Sequence, residues 1–329
     1  MSRRQRINSG TLPPEPSSLP RDFFREREHM MRALHRILEE KDFATAEEVN
    51  TFLATLAGKK MKDIIDLAAA PTVREQAQEM AWQAMEAESA AEARALVETA
   101  LALDPDCVDA LVLLTDLDAQ SETEMIAGLE RAVAAGERAL GAESFRENKG
   151  YFWGILETRP YMRARLELAD LQRSLGHYVQ ATAHYEALLE LNPNDNQGVR
   201  DPLLGCYLAT HNKLHAAGQL LQRYHQDAGA VFTWGRVLQR FLARDRGGAA
   251  RALTTARRAN RYVEDYLSCR RRLPADMPEA YALGSEEEAV YCCEILMPAW
   301  AKRQDATFWL FDRLYNRKKT SMFPHSFHA

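Results

Sequence analysis

The stretch MRARLELADLQRSLGHYVQATAHYEALLELNPND, residues 162–195, determines how most of this chain can fold. Apolar and small residues recur at helical spacing on both sides of Gly176, which predicts two amphipathic helices joined by a tight turn. Ala181 is small enough to let the second helix approach the first closely, and Pro193 ends the second helix. We therefore expect a helix–turn–helix unit that is 34 residues long.

Four other segments share this spacing with less regularity. The five segments begin at residues 74, 108, 162, 198 and 231, and each has an alanine at the position that Ala181 occupies in the third: Ala93, Ala127, Ala181, Ala217 and Ala250. The pattern resembles the tetratricopeptide repeat, whose helix pairs stack on one another and bury a continuous core. The resemblance implies an all-α fold, a tetratricopeptide-like α-solenoid in which helix pairs form a right-handed superhelix.

The repeat is interrupted between the second and third segments. Their starts lie 54 residues apart, so we place an insertion at about residues 141–161. The insertion is rich in aromatic residues, which are mixed with Arg, Glu, Asn, Gly and Pro. Two interpretations stay open at this point. The aromatic side chains fill the gap between two repeats, or they form a binding surface on which Arg159 and Arg163 protrude as anion clamps.

The chain divides into five regions by composition and pattern. Residues 1–21 are rich in Pro, Ser and Arg, which predicts a disordered arm. Residues 22–73 are expected to form an N-terminal helical hairpin and a linker, and residues 74–264 form the repeats. Residues 265–314 are predicted to be a C-terminal capping segment, because a terminal repeat must cover its open apolar face. Residues 315–329 form a basic tail that we expect to be disordered.

Three runs resemble one particular family: ETRPYMRARLELADL at 157–171, LLELNPNDNQGVRD at 188–201 and YVEDYLSCRRRLPADMPEAYALGSEEEAVYCCEILMPAW at 262–300. They are similar to a bacterial tetratricopeptide family related to the suppressor of tumorigenicity seven proteins. The likeness to the eukaryotic proteins covers roughly residues 160–311. The chain departs from the family pattern at ANRYVEDYL and at Asp201 and Pro202. The resemblance implies a fold and no particular reaction.

Charge and cysteine usage restrict the partners and the compartment. A net charge of −5 and an isoelectric point near 6.0 argue against a protein that binds through many phosphate contacts. No apolar run reaches the ~18–20 residues that a membrane span needs. The five cysteines are scattered and form no CxxC pair. We therefore expect reduced thiols in a cytoplasmic protein without membrane contact.

The sequence carries no signature of a phosphate-binding loop, a zinc protease or a serine hydrolase. His211 and His215 have the spacing of a helical metal pair, but they flank a predicted turn and would not share a helix face. Glu286, Glu287 and Glu288 suit the dipole of a helix N-terminus without any acid–base role. We therefore expect no catalytic residue, no metal and no cofactor.

Partner binding is predicted at the insertion and along the face formed by the first helix of each repeat, which lines the concave groove of such a superhelix. Aromatic and arginine side chains supply most of the binding energy at protein interfaces. Amide side chains beside the groove can pair with the backbone of an extended peptide. The predicted partner-binding residues are Tyr151, Trp153, Glu157, Arg159, Tyr161, Arg163, Asp170, Arg173, Asn194, Asn196 and Arg200.

The sequence thus favours a non-enzymatic scaffold that binds a peptide or a partner protein in its concave groove near residues 145–165. The alternative is an accessory or regulatory subunit of an enzyme complex, or an enzyme that uses the Arg- and Glu-rich insertion. Buried, converging side chains of Glu147, Glu157 and Arg159 would favour the enzyme. Nucleic-acid binding through the basic terminal segments is disfavoured by the overall negative charge.

Overall fold

The fold is all-α, as the sequence predicts. The computed structural model describes the backbone of residues 21–41 and 43–322 and the side chains of residues 28–41 and 43–313. This part of the chain contains 16 α-helices and no β-strand, and helix accounts for 73% of the structure. The disordered arm predicted for residues 1–21 falls, except for Arg21, outside the described residues.

The helices are numbered in chain order. They are α1 (Arg21–Glu40), α2 (Ala46–Leu56), α3 (Met61–Ile65), α4 (Val73–Glu86), α5 (Ala90–Leu103), α6 (Val108–Asp118), α7 (Glu122–Glu147), α8 (Arg159–Ser174), α9 (Tyr178–Leu191), α10 (Arg200–Ala209), α11 (Leu214–Arg223), α12 (Ala230–Leu242), α13 (Arg246–Ala259), α14 (Val263–Leu267), α15 (Glu286–Ala301) and α16 (Gln304–Met322). Two short 3-10 turns, Phe152–Gly154 and Leu156–Thr158, separate α7 from α8.

Neighbouring helices pack in pairs, and each of the five predicted repeats contains two helices. The pairs are α4 with α5, α6 with α7, α8 with α9, α10 with α11 and α12 with α13. The chain forms two compact units. The N-terminal unit consists of the described residues up to Leu168 together with residues 190–193, and the C-terminal unit contains residues 169–189 and the chain from Asn194 onward.

Caps and small residues explain the helix pairs of the N-terminal unit. Thr72 and Ser89 accept hydrogen bonds from backbone N–H groups three residues ahead, so α4 and α5 begin where the sequence offers a cap. The core between these helices contains Ala77, Ala81 and Ala100, all fully buried. Because alanine adds only one methyl group beyond the backbone, the two helices can approach closely and still exclude water.

The second predicted repeat and the insertion are joined by a bent helix. Helix α7 continues to Glu147, beyond the predicted start of the insertion at residue 141. It bends at Gly141, whose φ of 70° and ψ of 156° are not helical. Glycine adopts a positive φ without the steric cost that a side chain would bring. The first part of the predicted insertion is therefore helical, and its irregular part is short.

Helix α15 lies inside the C-terminal unit, where it packs against α10, α12 and α14. The predicted capping segment therefore reaches the first helix of the fourth repeat as well as the fifth. Helix α16 runs to Met322, so the segment predicted as a disordered tail from residue 315 begins as a helix. Residues 323–329 lie outside the described part of the chain.

The contact of α10 with α15 gives a test of this packing. A Cβ atom added at Gly205 would lie 2.7 Å from the carbonyl oxygen of Ile295, which is a backbone atom and cannot rotate away. We expect Gly205→Ala to lower the free energy of unfolding by about 1–3 kcal/mol. At Gly154 an added Cβ would meet no atom within 4 Å, so Gly154→Ala should change the free energy of unfolding by less than about 0.5 kcal/mol. Urea unfolding of both variants measures the difference, and equal stabilities would contradict the close contact.

Candidate functional site

An aromatic cluster anchors the insertion in the N-terminal unit. The ring of Phe152 is fully buried, and its centroid lies 5.0 Å from that of Phe145 and 6.4 Å from that of Tyr161. The hydroxyl of Thr158, also fully buried, donates a shared hydrogen bond to the carbonyls of Phe152 and Ile155. One side chain thus joins the two 3-10 turns, which holds the backbone of the insertion in place.

The predicted surface residues of the insertion differ in accessibility. Tyr151 is 77% exposed, and Glu157 is also exposed. Trp153 is half-buried, because the guanidinium of Arg159 stacks 5.3 Å from its ring centroid and the Arg159 Nε donates a 3.1 Å hydrogen bond to its carbonyl. Tyr161 is 1% exposed and belongs to the core. The insertion therefore fills a gap with one set of aromatic rings and presents another to solvent.

Arg163 does not protrude as a free clamp. Its guanidinium donates hydrogen bonds of 3.0 Å to Glu28 on α1 and 2.6 Å to Asp109 on α6. The side chains of Glu28 and Asp109 are only 7% and 5% exposed. Burial disfavours the charged guanidinium, but the two carboxylates outweigh this effect and raise the pKa of Arg163 above its ordinary value.

Helix α1 supplies further contacts to the same network. Arg32 donates hydrogen bonds to Glu28 and to the carbonyl of Leu156, and its guanidinium lies 5.7 Å from the ring centroid of Trp82. Arg36 forms an ion pair with Glu75 at the start of α4. Helix α1 thus covers the arginines that were predicted to face a partner, and Arg159 lies 4.0 Å from Glu28 as well.

Asp170 and Arg173 each have a hydrogen-bond partner inside the C-terminal unit. Arg173 donates a 2.8 Å hydrogen bond to Glu294 on α15, and Asp170 accepts one from the hydroxyl of Tyr185. Burial raises the pKa of Asp170 to about 6, although the nearby Arg173 opposes this shift. Both predicted binding residues thus connect helices of their own unit.

The junction that follows α9 contains three more predicted residues. Asn194 and Asn196 are exposed, whereas Arg200 is half-buried and donates a 2.8 Å hydrogen bond to Asp227. Asp195 lies between the two asparagines, and its buried carboxylate accepts hydrogen bonds from the backbone N–H groups of Val199 and Arg200. It therefore caps the start of α10.

A half-buried carboxyl group, that of Asp201, lies beside this junction. Burial raises the pKa of Asp201 to about 8, the charges of Asp227 and Asp195 add to the shift, and Arg200 opposes it. The hydroxyl of Tyr291 interacts with this carboxyl group and lowers its pKa. Asp201 was noted in the sequence only as a departure from the family pattern.

Sequence reasoning missed the carboxylates because they are distant along the chain. Glu28 and Asp109 lie 135 and 54 residues from Arg163, and Glu294 lies 121 residues from Arg173. The signal available in the sequence was the position of these acidic residues on apolar helix faces, where a carboxylate requires a cation.

No family model, curated protein or solved structure matches this chain. None of the described helices is both long and apolar enough to cross a membrane. No group of three His, Cys, Asp or Glu side chains among the described residues is placed to hold a metal ion. The relation to the tetratricopeptide family therefore stays a prediction from the sequence.

The ion pairs of Arg163 can be tested by unfolding. Arg163→Ala leaves the nearly buried carboxylate of Asp109 without its cation and removes one of the arginines that face Glu28, so we expect the free energy of unfolding to fall by about 2–4 kcal/mol. Neutralising the same carboxylates with Glu28→Gln and Asp109→Asn should restore part of this loss. Arg146→Ala, which removes two exposed ion pairs, is the matched control and should cost less than about 1 kcal/mol. A loss no larger than the control's would show that the network is dispensable.

The raised pKa of Asp201 predicts a pH dependence. An unfolded chain loses this proton near pH 3.8, whereas the folded chain keeps it to about pH 8. Between these values the folded state binds more protons, so the contribution of Asp201 to stability falls as the pH rises. We expect the stability of Asp201→Asn relative to wild type to rise by about 2–4 kcal/mol from pH 5 to pH 9.

Thermal unfolding across this pH range measures the difference. Asp276→Asn replaces an exposed aspartate of the same unit, and its stability relative to wild type should not change with pH. If the Asp201→Asn difference is also constant, the carboxyl group titrates normally.

Proposed function

We propose that this chain is a non-enzymatic, cytoplasmic interaction scaffold of the tetratricopeptide-like α-solenoid type, which binds a protein or peptide partner through the insertion. Its relation to the bacterial family named above belongs to the same proposal. The succession of five helix pairs supports the solenoid, because such pairs bury their apolar faces only against neighbouring helices.

The exposure of Tyr151 carries the proposal. Its ring is 77% exposed, while the adjacent Phe152 is fully buried and fixes the backbone next to it. An exposed aromatic ring contributes nothing to the core and loses little conformational entropy when a partner covers it. A rigidly held, exposed tyrosine is therefore typical of residues that dominate the energy of an interface.

The partner-binding set is narrower than the sequence prediction. We assign direct contact with the partner to Tyr151, Trp153 and Glu157, which are the predicted residues of the insertion that reach solvent. Asn194 and Asn196 are also exposed, but they belong to the C-terminal unit and not to the insertion. The arginines predicted as clamps hold helices of their own units together, so their effect on a partner is indirect.

The arrangement of acidic residues supports the scaffold over a catalytic insertion. Glu147 and Glu157 are both exposed and do not converge with Arg159 in a buried pocket. Carboxyl groups exposed to water lack the enclosed environment in which acid–base catalysts are usually found.

Site-specific crosslinking tests the proposal. We would place a photoreactive phenylalanine at position 151 of the full chain, irradiate it in a lysate of the native host and identify the product by mass spectrometry. One dominant crosslinked protein is expected. Position 179, where Val179 is 64% exposed on α9, is the matched control and should give no such product.

The affinity of the identified partner then measures the contribution of the ring. Tyr151→Ala should weaken binding about tenfold or more with little change in melting temperature, because the ring is not packed in the core. Val179→Ala should leave the affinity unchanged. Equal crosslinking at both positions, or an unchanged affinity of Tyr151→Ala, would remove the insertion as a binding site.

A further inference from the structure

A second concave surface, which we call the turn cleft, lies within the C-terminal unit. It forms where three helix–helix connections meet: residues 210–213 between α10 and α11, 243–245 between α12 and α13, and 302–303 between α15 and α16. Its volume is about 420 Å³, within the range of ligand sites in proteins. The polar lining includes Arg244, Arg246, Arg303, His211, Asn212 and Asp305.

The three arginines of the turn cleft have no carboxylate partner among the described residues. Arg303 is half-buried, and Arg244 and Arg246 are exposed, so all three side chains are accessible to a ligand. Asp305 lines the cleft too, but it forms no ion pair with any of the three. The hydroxyl of Thr210, on the same wall, also lacks a hydrogen-bond partner.

Two carboxylates that adjoin the cleft lining, Asp245 and Glu186, bind other groups. Asp245 accepts a 2.7 Å hydrogen bond from the backbone of Gly248, where it caps α13, and forms an ion pair of 3.4 Å with Arg240. Glu186 accepts hydrogen bonds from Tyr207 and Lys213. Three arginines and one aspartate line the cleft, so the lining carries a net positive charge.

The backbone at Arg244 gives an independent observation. Arg244 has a φ of 62°, in the left-handed region that disfavours residues with a side chain. It stands two residues beyond the end of α12, and Gly176 stands two residues beyond the end of α8 with a φ of 79°. Glycine would meet the same turn geometry without strain. A glycine at position 244 would avoid this backbone strain, but it would not place a guanidinium in the cleft.

The aromatic rings of the cleft are unsuited to nucleic-acid bases. The guanidinium of Arg246 lies 3.4 Å from the ring centroid of Phe241, and Lys213 faces the ring of Tyr207 at 5.6 Å. Cations thus occupy the faces on which bases would stack. Carboxylates match these arginines because each can accept two parallel hydrogen bonds from a guanidinium.

We propose that the turn cleft binds an acidic segment of a partner protein, whose Asp or Glu carboxylates pair with Arg244, Arg246 and Arg303. The inference rests on the proposed function, since it assumes a protein partner, but it concerns a surface that does not include the insertion. His211 and Asn212 add polar groups at the edge of the cleft.

The experiment measures fluorescence anisotropy with the full chain at 150 mM salt. The probe is a fluorescein-labelled peptide of six glutamates, and a six-lysine peptide and a 12-nucleotide single-stranded RNA serve as the other arms. We expect the glutamate peptide to bind with a Kd below about 1 mM and the lysine peptide not to bind. RNA that binds more tightly than the glutamate peptide would overturn the proposal, as would the absence of glutamate binding.

Arg244→Gly separates recognition from folding. Glycine relieves the strained turn, so the melting temperature should stay the same or rise, while the affinity for the glutamate peptide should fall about tenfold. Arg303→Ala should weaken binding similarly. Arg258→Ala removes an exposed arginine from α13, outside the cleft lining, and should leave the affinity unchanged. Equal losses for Arg258→Ala and Arg244→Gly would show binding by overall charge and overturn the site.

The two proposals fail in different ways. If position 151 crosslinks a partner but the glutamate peptide does not bind, the scaffold proposal stands and the turn cleft is rejected. If the peptide binds through Arg244 but position 151 crosslinks nothing, the cleft binds carboxylates and the insertion is rejected as the partner site.

Discussion

Two ion-paired arginines on α8 determine how each unit is built. In the N-terminal unit Arg163 is neutralised by Glu28 and Asp109, and in the C-terminal unit Arg173 is neutralised by Glu294. A guanidinium that leaves water without a carboxylate lowers stability by several kcal/mol. Helices α1 and α15 are therefore required parts of their units. They carry the negative charges that make it possible to bury positive charges on a repeat helix.

This pairing changes where recognition can occur. In an open helical repeat the first helices of the pairs offer their polar side chains to a ligand. Here carboxylates on α1 and α15 bind Arg163 and Arg173 in place of a ligand. These arginines therefore cannot bind a partner without breaking an internal ion pair. Side chains that form no ion pair with a described residue can bind a partner without breaking one. Tyr151 is such a side chain at the insertion, and the three arginines are such side chains at the turn cleft.

The predictable part of the fold is local in sequence. An alanine at the same position of each repeat segment and a capping residue before several helices suffice to locate the pairs, since helix formation and close packing depend on neighbouring residues. The site was less predictable because ion pairs depend on approach in space. Glu28 and Arg163 are 135 residues apart, and no pattern within one helix indicates that they meet. The interruption of the repeat did locate the insertion, but it could not separate the buried Phe152 from the exposed Tyr151.

Four non-glycine residues among those described in the C-terminal unit have a positive φ: Asp195, Asn212, Arg244 and Cys269. Three of them differ in how the conformation is compensated. Asp195 has a φ of 54°. Its carboxylate accepts two backbone hydrogen bonds at the start of α10, which compensate the strain. Asn212 has a φ of 69°, which asparagine tolerates better than most residues. Arg244 shows neither compensation, because its guanidinium bonds to no described side chain. Backbone strain that no contact within the protein compensates persists most readily when the side chain binds another molecule. Because Arg244 lies beside two further arginines without ion pairs, we expect that molecule to carry carboxylates.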